Sequence, residues 1–107
     1  MLSLPPAIRA YFDANERLDT DAMLAPFADD AVVRDEGRTH RGTDAIRSWI
    51  EQTSIALPAI AVPRTIRSED EFQHVTAHVS GTFPRSPVAL SFTFRLKDGQ
   101  IAELEIK

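Results

Sequence analysis

From Val88 to Leu96 the chain reads Val-Ala-Leu-Ser-Phe-Thr-Phe-Arg-Leu, with every second side chain large and apolar. Side chains on a strand alternate between its faces, so Val88, Leu90, Phe92, Phe94 and Leu96 share one face and Ala89, Ser91, Thr93 and Arg95 the other. The apolar face needs a cover, and the polar face does not. The preceding segment repeats the pattern: Val75, Ala77, Val79, Gly81 and Phe83 alternate with His74, Thr76, His78, Ser80 and Thr82. With AIAVPRTIR before these two and IAELEIK after them, polar or Gly/Pro breaks at Ser68 to Glu71, Pro84 to Pro87 and Lys97 to Gly99 delimit four β segments.

The cover has to come from the N-terminal half. Ile8, Tyr11, Phe12, Asn15 and Leu18 recur at helical spacing, and the Pro5-Pro6 pair suits a first turn, which predicts a helix from about Pro5 to Leu18. Asp19 reads as the N-cap of a short helix over Thr20 to Ala25 that Pro26 cuts off, and Phe27 follows as a core anchor. After a loop at Asp29-Asp30, AVVRDE predicts a strand and RTHR a short second one, joined by a turn at Glu36-Gly37. Thr43 is placed to cap a third helix, in which Ile46, Trp49, Ile50 and Thr53 share one side and which ends before Pro58. Helices first and strands afterwards predict an α+β domain with its helices on one face of a sheet.

Within this frame Asp35 is the most unusual placement. It shares a strand face with Val33, while Val32 and Arg34 share the other. A carboxylate beside a core valine is either desolvated or paired with a base. The plainer reading is that Asp35 ends an edge strand, shapes the Glu36-Gly37 turn, or pairs with Arg38 or Arg41.

Several function classes fall away on composition. A length of 107 residues predicts one domain over 1–107, and 16 acidic against 12 basic side chains, in no long block of either sign, give no footprint for nucleic acid. Without cysteine there is no thiolate nucleophile and no Cys-based zinc site. His74 and His78, four apart on a strand, stand ~13 Å apart, too far to share a metal. The N-terminus lacks a basic leader and no apolar run reaches the ~18 residues of a membrane span, so the expectation is a soluble cytoplasmic protein with no membrane partner.

Laid out this way, the chain resembles the nuclear transport factor 2-like superfamily, and within it the SnoaL-like polyketide cyclases and ketosteroid isomerases. The resemblance rests on the tyrosine-bearing first helix, the short second helix, F-A-D-D-A-x-V-x-D from Phe27 to Asp35, R-G-T-x-A-I-R from Arg41 to Arg47, and F-x-F-R-x-x-x-G from Phe92 to Gly99. It implies a cone-shaped α+β barrel: three N-terminal helices packed on a strongly curved, mainly antiparallel sheet, with an apolar pocket at the open end. It also implies that Asp35 stands where ketosteroid isomerases keep their general base and Tyr11 where they keep an oxyanion-hole tyrosine. The position of their second acid falls at or next to Phe92, so the chain departs from the isomerase pattern there.

His40 is the polar neighbour that a SnoaL-like cyclase would use, or else a surface residue of a short strand. Phe12, Phe27, Val33, Trp49, Phe83, Leu90 and Phe92 are the expected apolar lining. The function so implied is proton transfer next to a carbonyl of a small apolar molecule, by an isomerase or cyclase without cofactor or metal. The alternative is a non-catalytic ligand-binding or protein-interaction module on the same fold. The sparsely charged outer sheet face, carrying His74, Thr76, His78, Ser91 and Thr93, is the expected homodimer interface.

Overall fold

The computed structural model describes residues 2–56 and 58–107. Helices α1 (Pro6–Glu16) and α2 (Thr20–Leu24) lead into the hairpin of β1 (Phe27–Asp35) and β2 (Arg38–Arg41), and α3 (Gly42–Ile50) continues as a π-helical turn, Glu51–Ile55. The remaining strands are β3 (Ala59–Glu69), β4 (Phe72–Gly81), β5 (Val88–Lys97) and β6 (Gln100–Ile106). They form one α+β unit with a single six-stranded sheet, ordered β2-β1-β6-β5-β4-β3. Because β2 and β3 stand at its ends unpaired with each other, the sheet is not closed, where the resemblance implied a cone-shaped barrel.

Local chemistry accounts for most boundaries. Asp19 caps α2, its carboxylate accepting from the backbone N–H of Ala22 at 3.1 Å. α1 stops short of the expected Leu18 because that residue adopts a left-handed φ of 54°. Glu36 and Gly37 both take positive φ, 52° and 75°, the geometry of a two-residue turn whose twist matches its flanking strands. The N-cap of α3 is Arg41, without a side-chain hydrogen bond, so Thr43 does not play the expected capping part.

Three departures from the sequence reading bear on the site. β1 begins at Phe27, taking in the Asp29-Asp30 pair read as a loop, and its register with β6 shifts between Phe27 and Val32. Its pairing with β6 is parallel, whereas every other pairing in the sheet is antiparallel. The expected single helix up to Pro58 changes winding after Ile50, where Thr53 Oγ1 donates to the Trp49 carbonyl at 2.7 Å and so competes with the helical ladder.

The core lies between the helices and the alternating faces of β4, β5 and β6. Phe92 and Phe94 are buried, with Val88, Leu90 and Leu96 half-buried beside them. Phe12 of α1 sets its ring edge-on to both phenylalanines, at 5.4 and 5.9 Å between centroids, and Tyr11 meets Phe94 at 5.8 Å. The period-two pattern of β5 and the helical stripe of α1 therefore interlock. Edge-to-face pairs of this kind add ~0.5–1.5 kcal/mol each beyond the area they bury. On the opposite face Glu103 of β6 lies between Arg95 of β5, 3.2 Å away, and Arg34 of β1, 3.9 Å away, tying three strands together by charge.

Candidate functional site

A cavity of about 760 Å³ opens between α1, the π-helical turn and the sheet. Its walls are mostly apolar, with Ala59, Ala61, Val79, Val88, Leu90, Phe92 and Ile106 from the strands and Phe83 and Pro84 from the β4–β5 loop. Polar groups reach it from Tyr11 and Asn15 of α1, Asp35 and Glu36 at the end of β1, and Gln52, Thr53 and Ser54 of the π-helical turn. An apolar space of this size with few polar groups is the usual form of a small-molecule site.

Asp35 owes its position to β1 and its orientation to α3. Val33 is fully buried, and two residues further on the same face comes out at the cavity wall. There Asp35 Oδ2 accepts a hydrogen bond from Trp49 Nε1 at 3.0 Å. The indole N–H is a donor only, and its ring is buried, so it holds one carboxylate oxygen while the other stays available to a ligand. The plainer arginine pairing is not the one adopted, since Arg38 and Arg41 form no ion pair with Asp35 among the described residues.

Tyr11 is 3% exposed, its ring wedged edge-on among Phe12, Phe27 and Phe94. Burial, and then the negative charge of Asp35, push its phenol above the ordinary value of 10.0. Like any phenol the hydroxyl is protonated at neutral pH, and its surroundings extend that state into alkali; among the described residues no hydrogen-bond partner holds it. A neutral donor thus shares a cavity with a carboxylate acceptor. That combination can polarise a carbonyl and move a proton beside it.

The other residues singled out from sequence divide. Trp49, Phe83, Leu90 and Phe92 line the cavity, whereas Phe12, Phe27 and Val33 belong to the core beneath it and are absent from its wall. His40 also stands outside the lining. It pairs with Val33 across the hairpin and tilts against Trp49, with 6.3 Å between ring centroids. Trp49 thus meets both His40 and Asp35.

Sequence reasoning passed over Ser54 and Arg85, and read Asn15 only as one of a helical stripe. Asn15 was the one polar member of that stripe, which was a usable signal. Its amide donates to the Ala59 carbonyl at 3.0 Å and accepts from the Ala61 N–H at 2.7 Å, fastening α1 to the start of β3. A smaller groove of about 290 Å³ runs along the β1–β2 turn between Arg34, Glu36, Arg38 and Glu105, and Asp35 borders both spaces.

Comparison with known proteins follows the same lines. The family model of the SnoaL-like domain matches residues 8–104. The chain belongs to the SnoaL-like domain family. Among solved structures, a candidate polyketide cyclase from Sinorhizobium meliloti is 45% identical to this SnoaL-like chain over 97% of it and 95% of its own length, with a TM-score of 0.92. Two others share the fold at low identity. A protein with a ketosteroid isomerase-like fold from Catenulispora acidiphila, solved with trimethylamine, is 18% identical, covers 98% of this chain and 86% of its own, and has a TM-score of 0.84. SalBIII, an epoxide hydrolase/cyclase-like enzyme of pyran ring formation in salinomycin, is 17% identical, covers 94% and 86%, and has a TM-score of 0.82. No curated protein matches the chain. No helix among the described residues is long and apolar enough to cross a membrane.

Proposed function

We propose that this SnoaL-like protein binds a small, largely apolar carbonyl compound and moves a proton beside that carbonyl. The observation that carries this reading is the shared cavity of Tyr11 and Asp35: one offers a protonated hydroxyl, the other a carboxylate with one oxygen anchored on Trp49. In the proposed step the free oxygen of Asp35 takes a proton from the carbon next to the carbonyl. The electron pair of that C–H bond moves into the new C=C bond, and the negative charge arriving on oxygen is met by the Tyr11 hydroxyl. Asp35 then returns its proton to another carbon of the conjugated enolate, giving an isomer, or the enolate carbon attacks a second carbonyl of the same molecule and closes a ring, and the alkoxide so formed takes the proton back from Asp35. The apolar walls keep water from competing for either group. The strongly bent, cone-like form expected of the sheet would wrap such a ligand, and we take the working protein to be a homodimer joined through its outer face.

The test is exchange in heavy water, which needs no knowledge of the product. Simple cyclic and aryl ketones incubated with the protein are expected to gain deuterium beside the carbonyl, read by NMR. Asp35→Asn should abolish the exchange, and Tyr11→Phe should slow it by about 10²–10³, the usual cost of one oxyanion donor. A second reading, ligand binding without chemistry, draws on the apolar Phe92 at the place of a second acid donor. Ketones that bind in the cavity of the native protein yet exchange no faster than in buffer would establish that reading instead.

A further inference from the structure

The cavity has two chemically different ends, set by strand register. Arg34 pairs with Glu105, so Asp35 stands at the level of Ile106, whose partner on β5 is Phe92. Val88, where β5 begins, lies four residues before Phe92, or ~13 Å along the strand, and the β4–β5 loop with Phe83, Pro84 and Arg85 lies beyond it. Between the two ends the wall is Leu90, Val79 and Ala61, with no charge.

At the far end Arg85 is the lining cation without an ion pair among the described residues. Lys107 also borders the cavity, but it pairs with Ser91, whose side chain faces outward, and its ammonium lies 3.8 Å from Glu105. The negative groups of the lining, Asp35 and Glu36, are both at the β1 end. The loop carrying Arg85 is fastened: Ser86 Oγ accepts from the Gly81 N–H at 2.9 Å, the Ser86 N–H donates to Phe83 at 3.1 Å, and Phe83 packs half-buried on the core. Gly81 backs the loop so closely onto Pro58 that a Cβ there would collide with the Pro58 carbonyl oxygen. Arg85 therefore stands on a prearranged rim.

We infer that the cavity selects an amphipathic anion, a ligand whose apolar body spans the Leu90–Val79–Ala61 wall and whose carboxylate, sulfonate or phosphate lies against Arg85, remote from Asp35. The inference rests on the cavity being a ligand site, and it requires no turnover. The polarity of the site then fixes the orientation: an anion placed at the β1 end would meet two carboxylates, so the reacting carbonyl is delivered to Tyr11 and Asp35 by the opposite, neutral end of the molecule.

A matched pair of fluorescent probes tests it. Anilinonaphthalene sulfonate and phenylnaphthylamine share their aromatic body and differ in the sulfonate, and either one bound in the cavity quenches Trp49, the chain's only tryptophan. The native protein should bind the sulfonate more tightly, and added salt should erase the difference. Arg85→Gln should weaken the sulfonate about fivefold, the scale of one partly solvated ion pair, and leave the neutral probe unchanged; Arg85→Lys should restore most of it. Equal affinity for both probes in the native protein, or equal loss of both in folded Arg85→Gln, overturns this inference alone. Failure of both probes to quench Trp49 at any concentration overturns it together with the ligand site on which the proposed function depends.

Discussion

Tyr11 keeps its proton to higher pH than a free tyrosine because of where it sits, and this has a measurable cost in alkali. An unfolded tyrosine ionises near ~10, whereas burial and Asp35 raise the folded phenol above that. Below pH 10 both states are protonated and the group is neutral towards stability. Above it the unfolded chain releases its proton first, so stability falls as pH rises, by about 1.4 kcal/mol per unit until the folded phenol also ionises. Tyr11 is the chain's only tyrosine, which makes tyrosinate absorbance a clean report. Absorbance should grow only as the protein unfolds in alkali, and Tyr11→Phe should flatten the alkaline fall in melting temperature. A phenol that titrates at its ordinary value in the folded state would mean that neither burial nor Asp35 acts on it. The same residue shows what a sequence can disclose: its place on the α1 stripe was readable from spacing, but its pairing with Asp35 depends on β1 reaching the same cavity.

At the scale of elements, the site depends on two attachments that bring α1 and α3 to the sheet. Trp49 ties α3 to β1 through Asp35, and Asn15 ties α1 to β3. Asn15 is buried, so Asn15→Ala leaves the Ala61 N–H and the Ala59 carbonyl without partners; the expected loss is about 1–3 kcal/mol by thermal or denaturant unfolding. A change within a few tenths of a kcal/mol would mean that water or a shift of β3 replaces the clamp. Alternation marked the inward faces of β4 and β5 because each strand's own residues carry that information. The parallel pairing of β1 with β6, and the register shift between Phe27 and Val32, were hidden because they depend on residues some seventy positions away. The π-helical turn was hidden for a different reason: the spacing of Ile46, Trp49, Ile50 and Thr53 suits an ordinary helix, and one hydroxyl, that of Thr53, diverts the Trp49 carbonyl.

At the scale of the whole molecule, the outer face of the sheet is where we propose that two copies meet. Towards β1 and β6 it is charged, with Arg34, Glu103 and Arg95 already satisfying one another. Towards β3 and β4 its middle is uncharged, with Val62, His78 and Ala89 in one cross-strand row and Thr65, Thr76 and Ser91 in the next, while Arg67, Glu69 and His74 form a charged cluster beyond them. Val62 is 48% exposed, the one large apolar side chain so placed among the described residues. Pairing edge to edge is discouraged, since β3 carries Pro63 and a register shift between Pro63 and Thr65, and β2 is short with an arginine at either end. Pairing face to face meets no such obstacle. In a two-fold interface each patch meets its own copy, so a charge placed at the centre confronts its equivalent. Sedimentation is expected to give twice the 11.9 kDa of the chain, and Thr76→Glu to shift it to the monomer with the cavity still binding neutral phenylnaphthylamine. A native protein sedimenting at 11.9 kDa, or a Thr76→Glu variant that remains a dimer, would exclude the outer face as the contact between subunits.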